Sequence, residues 1–208
     1  MNDVCVPIVF TEYKIAVPHA KVDLPKFINK LGIADIETPK KLNDLGHAGC
    51  LFIRGADGLS KYYEYGRYDP ENKGLTRKQR IPDVTLTKAG RLQWPSLQAV
   101  LHTISFKAGQ GGVITAAWIA APGKFAAMLD YAEKRVKENM DKGREPYDLL
   151  FNSCNHFMKG VMEAAGLRTP LMVDKRPVSY IKEIRDLYPD LDYTPRTRTL
   201  LLDGKKPV

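Results

Sequence analysis

The most informative stretch of this chain is residues 147–157, which read Tyr-Asp-Leu-Leu-Phe-Asn-Ser-Cys-Asn-His-Phe. After the apolar run, hydrophobic residues recur at the four-residue spacing of one helix face, at Phe157, Val161 and Ala165. Gly166 then ends the pattern, and Asn152 or Ser153 is the natural N-cap residue. The sequence therefore predicts a helix that carries Cys154 in its first turn.

This position makes Cys154 a candidate nucleophile. A free cysteine has a pKa near ~8.5, and only its thiolate attacks carbonyl groups well. The unpaired N–H groups and the dipole of a helix N-terminus favour an anion. The same N–H groups can later hold an oxyanion. The sequence thus predicts an activated thiol at this helix start.

A histidine far upstream is the candidate base. Gly46-His47-Ala48-Gly49 opens the first of two β-compatible runs, residues 47–53 and 61–66. The linker between them is Gly55-Ala56-Asp57-Gly58, whose glycines and aspartate suit a tight turn. We therefore expect a β-hairpin with the histidine at its open end.

The register of this hairpin selects a third residue. If the turn is centred on residues 56–57, Gly49 lies opposite Glu64, and Glu64 becomes a diagonal neighbour of His47 on the same face. A carboxylate there would orient the imidazole, as in a Cys-His-acid set. Cys50 falls on the opposite face. A slip of one residue in the register would remove this geometry.

Each of these residues also has a structural interpretation. A single cysteine is more often an inert core residue than a nucleophile, and the same holds for His47. Glu64 could be an exposed strand residue that pairs with Arg67 or Lys61. The conjunction of a strand-borne histidine, a cysteine at a helix start and a carboxylate on the paired strand favours catalysis.

The segment 147–157 resembles the N-x-C-N-H-F segment of circularly permuted papain-like cysteine hydrolases. These include NlpC-type cell-wall peptidases, PPPDE-type isopeptidases and the lecithin:retinol acyltransferase group. In permuted members the histidine strand precedes the cysteine helix, which is the order of His47 and Cys154. Residues 46–49 and 62–68 are similar to the segment that carries the base in bacterial members, including type VI secretion effectors of the TseH kind.

The resemblance implies an α+β fold of the permuted papain-like, NlpC-type kind. In it an antiparallel sheet packs against helices, and the nucleophile lies at a helix N-terminus. Cys154 would be the nucleophile and His47 the base. Glu64 is carried over as the third catalytic residue with a looser match, because this position varies among such families.

The same resemblance implies a cysteine peptidase or amidase that hydrolyses amide bonds in peptidoglycan peptides, as an antibacterial secreted toxin. An immunity protein and a secretion-system carrier would be its partners. A host-directed cysteine protease or isopeptidase of the same fold is an alternative. A lipid acyltransferase or acylhydrolase is another, although it would need an apolar groove or membrane-facing segment that the sequence does not suggest. A non-catalytic binding module, which would tolerate Cys154→Ala without loss of activity, is a third.

Composition and charge agree with this interpretation. The 208 residues contain no Ser/Gly/Pro linker, so we expect a single cysteine hydrolase domain over residues 1–208. The sequence has neither a run of about eighteen apolar residues nor the apolar h-region of a signal peptide. We therefore expect a product made in the cytoplasm without a signal peptide and not integral to membranes. The resemblance to type VI secretion effectors implies that it is then secreted into the periplasm of a target cell.

The net charge of +8 favours anionic partners such as an acidic cell wall. Aromatic residues are not interleaved with basic ones as in nucleic-acid-binding motifs, so nucleic acid is not an expected partner. Three cysteines, an odd number, argue against a disulfide framework. No metal-binding motif is present, and the proposed hydrolysis needs neither metal nor cofactor.

Hydrophobic periodicity and turn residues predict the remaining elements. Helices are expected at residues 23–32, 95–109, 123–142 and 178–187. Strands are expected at residues 84–87, 91–94, 113–121 and 197–202, and a polar, basic loop at 72–82.

Overall fold

The computed structural model describes residues 1–13, 46–68 and 73–207. Within these residues the strands are β1 (Val4–Phe10), β2 (His47–Ile53), β3 (Ser60–Gly66), β4 (Leu75–Gln79), β5 (Ile114–Ala117), β6 (Ile119–Ala120), β7 (Asp190–Thr194) and β8 (Thr199–Leu202). The helices are α1 (Trp94–Ala108), α2 (Phe125–Lys137), α3 (Cys154–Ala164) and α4 (Pro177–Arg185), and a short 3-10 helix, Glu138–Met140, follows α2. The predicted helix at residues 23–32 lies outside the described residues.

The strands form one antiparallel sheet in the order β4-β3-β2-β1-β5-β7-β8, and β6 pairs with β1 beside β5. The expected antiparallel sheet packed against helices is therefore confirmed. Strands β1 and β2 lie in the middle of this order and are buried at every residue.

Two apolar layers cover the sheet, one on each face. Because side chains alternate along a strand, Ala48, Cys50 and Phe52 of β2 enter the layer formed with α2, α3 and α4. Leu51 and Ile53 of the same strand enter the layer formed with α1. Strand β2, which begins at His47, is thus packed on both faces.

Strand β1 was not predicted. Its Pro7 is unusual in the middle of a buried strand, because proline has no N–H to donate to a ladder. The structure accommodates Pro7 at a break in the neighbouring ladder. On that side β1 pairs with β5 only at Ile8–Phe10 and with β6 only at Val4–Cys5. Trp118 lies between β5 and β6 and donates its backbone N–H to Pro189 instead. The missing N–H of Pro7 therefore costs the sheet no ladder hydrogen bond on that side.

Other boundaries also differ from expectation. The predicted loop at 72–82 is wrong, because residues 75–79 form the edge strand β4. The predicted strands at 84–87 and 91–94 reduce to one isolated bridge between Leu86 and Leu92. Strand β7 was not predicted, and α2 is shorter than the predicted helix at 123–142.

The predicted hairpin is confirmed together with its register. Gly49 pairs with Glu64, and the ladder continues to the pair of Ile53 and Ser60. Cys50 lies on the face opposite to His47, as predicted, and is fully buried with its Sγ 3.5 Å from that of Cys5.

Candidate active site

Helix α3 begins at Cys154, and its start is fixed by a capping box. Ser153 is the N-cap residue, and its side chain accepts a hydrogen bond from the backbone N–H of His156. In return, the backbone N–H of Ser153 donates to Nδ1 of His156 at 3.3 Å. This reciprocal pair satisfies two N–H groups of the first turn. His156 therefore serves the helix cap, and the prediction of Ser153 as a possible N-cap residue is confirmed.

The Gly-His-Ala-Gly motif has a steric explanation. Gly46 has a φ of +73°, and a Cβ there would lie 2.9 Å from the backbone oxygen of Phe10. A Cβ on Gly49 would lie 2.1 Å from the hydroxyl oxygen of Tyr62. Both positions exclude larger residues, so the two glycines allow β2 to start at His47 against its neighbours.

The Cys154 sulfur meets the His47 side chain where the β2–β3 ladder ends. The β2–β3 ladder stops at the pair of Gly49 and Glu64, although β3 continues beside β4 to Gly66. Ala48 lies beyond that last pair, and its backbone N–H hydrogen-bonds the Cys154 sulfur. The sulfur also hydrogen-bonds the His47 side chain. Helix α3, packed on one face of the sheet, thereby meets a histidine of the other face.

The His47 ring is held on its far side by two groups. Its Nε2 lies 3.0 Å from Oε2 of Glu64 and 2.8 Å from the hydroxyl oxygen of Tyr68. Gln79 donates its Nε2 to the second oxygen of Glu64 at 2.8 Å. Because Nε2 is engaged, Nδ1 is the ring nitrogen that remains for Cys154. The structure thus brings together all three predicted site residues.

These contacts favour a charged pair. Burial lowers the pKa of His47, but hydrogen bonds to Cys154 and Glu64 outweigh it and raise the pKa to about 9. Burial raises the pKa of the Cys154 thiol, but the hydrogen bond and charge of His47 outweigh it and lower the pKa below its usual value. The two shifts are mutually dependent, and each favours the charged form of its group.

The charged pair lies just beneath the surface. Cys154 is 2% exposed, His47 6% and Glu64 1%. The Tyr13 ring lies 4.9 Å from the imidazole between centroids, and Tyr68 meets it edge-on. Such burial strengthens electrostatic interactions at the site.

Sequence reasoning missed several polar partners. Tyr147 donates its hydroxyl to the Cys154 sulfur at 3.6 Å, although it opens the segment that identified the nucleophile. Tyr68 was part of a recognised segment but was assigned no role. Gln79 was missed because its strand was predicted to be a loop. The register of β3 and β4, which pairs Tyr62 with Gln79, would have revealed it.

Residues 1–13, 46–68 and 73–207 contain no cluster of three or more His, Cys, Asp or Glu side chains arranged to hold a metal ion. In the same part of the chain, no helix has the length and apolarity needed to span a bilayer.

Comparison with known proteins identifies the family of this chain. Residues 5–167 match the family described as type VI secretion system effector TseH-like. The crystal structure of the type VI secretion system effector TseH matches with a TM-score of 0.77 and 29% sequence identity, over 97% of this chain and 97% of that chain. No curated protein matches the chain at a significant level. The chain therefore belongs to the TseH-like family of type VI secretion system effectors.

Proposed function

We propose that this effector is a cysteine peptidase or amidase that hydrolyses amide bonds in peptidoglycan peptides. The observation that carries the proposal is the hydrogen-bonded set of Cys154, His47 and Glu64 at a helix N-terminus. A thiolate, a proton-carrying imidazole and an orienting carboxylate are the groups that thioester chemistry requires. The permuted papain-like fold belongs to the same proposal, since the histidine strand precedes the cysteine helix.

In the first half of the reaction, the Cys154 thiolate attacks the amide carbonyl carbon. An S–C bond forms, and the carbonyl electron pair moves to oxygen. The His47 imidazolium then gives its proton to the amide nitrogen as the C–N bond breaks. The products are a thioester on Cys154 and a free amine.

Water completes the second half. It attacks the thioester carbonyl while neutral His47 takes its proton, and the S–C bond then breaks to release a carboxylic acid. The thiolate and imidazolium are restored. Glu64 holds the ring in one orientation and stabilises its cationic form through Nε2. Every step uses side chains of this chain and water, so the proposal includes neither metal nor cofactor.

Two further observations support a cell-wall substrate. Effectors of the family act after secretion into target cells, so the periplasm of a bacterial target is the proposed site of action. The net charge of +8 favours approach to carboxylate-rich stem peptides. The proposal includes an immunity protein in the producing cell and a secretion-system carrier, as a delivered toxin of one hydrolase domain would require.

The test is parallel digestion of two substrates, purified peptidoglycan sacculi and ubiquitin-like protein conjugates. The wild-type protein should release muropeptide fragments from sacculi, and mass spectrometry should assign each new amine to one amide bond. His47→Ala should release no muropeptide fragments at a rate comparable to that of the wild-type protein. Cleavage of the conjugates while the sacculi stay intact would instead support the host-directed isopeptidase. Cleavage of neither substrate would contradict the proposal.

A further inference from the structure

Arg77 is an exposed cation that lies close to His47. It belongs to the edge strand β4, where it is directly opposite Glu64 in the β3–β4 ladder. Its guanidinium carbon Cζ lies 3.4 Å from the centroid of the Tyr68 ring, and the Tyr68 hydroxyl oxygen lies 2.8 Å from Nε2 of His47. A single aromatic ring therefore separates this cation from the imidazole.

The Tyr68 ring beneath Arg77 is itself held in place. A Cβ added to Gly66 would lie 2.6 Å from Cζ of Tyr68, so the ring packs directly against the backbone of Gly66. The ring also meets the imidazole of His47 edge-on, at 79° between planes. Stacking on a ring that is already fixed restricts the guanidinium before any ligand binds. A pre-organised group of this kind loses less conformational entropy on binding.

Within the described ranges of the chain, no carboxylate lies within ion-pair distance of Arg77. The carboxylate opposite it in the ladder, Glu64, has other partners. One oxygen of Glu64 lies 3.0 Å from Nε2 of His47, and the other accepts a hydrogen bond from Nε2 of Gln79 at 2.8 Å. The N–H donors of arginine form a planar fork that matches a carboxylate. The fork of Arg77 is therefore available to a carboxylate of a ligand.

The charges of Arg77 and of the Cys154 thiolate act on the same two hydroxyl groups. Burial and the charge of Glu64 raise the pKa of Tyr68, the charge of Arg77 lowers it and that of Cys154 raises it. The pKa of Tyr13 is raised chiefly by burial, and Arg77 and Cys154 again act on it in opposite directions. A ligand bound at the Cys154 sulfur therefore lies within range of the charge of Arg77.

We propose that Arg77 is a specificity-determining residue that binds a free carboxylate next to the scissile amide. The assignment rests on the proposed amide hydrolysis and names its substrate class, which is peptides whose neighbouring carboxylate is free rather than converted to a carboxamide. A carboxamide is uncharged and has one acceptor oxygen instead of two, so it cannot accept both parallel hydrogen bonds of the fork. Amidated stem peptides should therefore be poor substrates.

The experiment uses two alkylating reagents that differ in their carboxylates, N-iodoacetyl-glutamic acid and its diamide. Both react with the Cys154 thiolate by the same displacement, in which the S–C bond forms as the C–I bond breaks and iodide leaves. The ratio of the two rate constants therefore cancels any change in the pKa or the exposure of the thiol. Mass spectrometry of the peptide that contains Cys154 measures both rates in wild type and in each variant.

The acid should react faster than the diamide in wild type. Arg77→Gln should lower the acid-to-diamide ratio by about tenfold, the lower end of the range for a hydrogen bond to a charged group. Lys78→Gln is the matched control, because it removes one positive charge from the next residue of β4, whose ammonium group pairs with Glu133. Side chains alternate along a strand, so Lys78 lies on the opposite face from Arg77, and the ratio in Lys78→Gln should match wild type.

An acid-to-diamide ratio that is the same in Arg77→Gln as in wild type, or that falls equally in Lys78→Gln, would overturn the assignment of Arg77. Alkylation involves no amide cleavage, so this result does not depend on hydrolysis. Sacculi that stay intact, together with a ratio that depends on Arg77, would contradict the proposed peptidoglycan hydrolysis and leave Arg77 as a carboxylate-binding residue.

Discussion

Cys154 and His47 each favour the charged form of the other. Burial alone would neutralise both groups, since removing an isolated charge from water costs several kcal/mol. The hydrogen bonds among Cys154, His47 and Glu64 reverse that tendency, as the two pKa shifts show. Removal of Cys154 or of Glu64 should therefore lower the pKa of His47.

The pH dependence of hydrolysis follows from these shifts. The pKa of His47 is raised to about 9, so the imidazolium persists through neutral pH and is lost as the pH rises through about 9. The pKa of Cys154 is lowered, so the thiolate is lost only when the pH falls below the ordinary thiol range. A bell-shaped profile of kcat/KM is expected, with its alkaline limb near pH 9. An alkaline limb near the ordinary histidine pKa would contradict this ion pair.

Glu64→Gln removes the carboxylate charge beside Nε2 while keeping a side chain of similar size. The pKa of His47 should fall, because Glu64 raises it, and the alkaline limb of kcat/KM should move to lower pH. The loss of rate should be smaller than for Cys154→Ala. Glu133→Gln is the control, since Glu133 is a carboxylate that pairs with Lys78 on the surface, and its profile should match wild type. An unmoved alkaline limb in Glu64→Gln would remove the orienting role of Glu64.

At the level of these residues, sequence reasoning identified the groups that carry charge but not those that support them. Cys154, His47 and Glu64 were predictable because helix capping and hairpin register are local properties. Tyr147 and Gln79 were not, since their contacts depend on how α3 and β4 pack against the hairpin. Tertiary contacts of this kind leave no periodic signal in the chain.

The entry into strand β2 depends on a glycine. Gly46→Ala should destabilise the protein by about 1–2 kcal/mol through the left-handed backbone alone, and by more because a Cβ would contact the Phe10 oxygen at 2.9 Å. Gly123→Ala is a matched control, with a φ of +69° and no neighbour within 4 Å of the added Cβ. Urea unfolding should show a larger loss for Gly46→Ala. Equal losses of unfolding free energy in the two variants would show that the contact between the added Cβ and the Phe10 oxygen does not destabilise the protein.

Among the elements, those with a clear hydrophobic period were predictable and those governed by neighbours were not. Helix α1 and the β2–β3 hairpin show regular apolar spacing and lie where predicted. Strand β1 has no alternation because both of its faces are buried, and Pro7 argues against a strand. Strand β4 is a polar edge strand, so its composition indicates a loop. For both β1 and β4, the position of the segment in the sheet determines that it forms a strand, and this position is a property of the whole fold.

For the whole molecule, the prediction of a TseH-like effector is confirmed, since the family covers residues 5–167 and the TseH structure covers 97% of the chain. The α+β architecture with an antiparallel sheet is confirmed as well. The catalytic roles, the peptidoglycan substrate and the single domain over residues 1–208 stay predictions. Substrate identity depends on surface shape around the site, which local sequence patterns do not encode.

The rate at which new amino groups appear in purified sacculi tests the proposed role of Cys154 most directly. The rate is compared for wild type, Cys154→Ala and Cys50→Ala, which removes a second buried thiol from the same apolar layer as Cys154. We predict amine release by wild type and by Cys50→Ala, and none above background by Cys154→Ala. Release by Cys154→Ala at the wild-type rate would contradict cleavage of cell-wall amide bonds by this thiol.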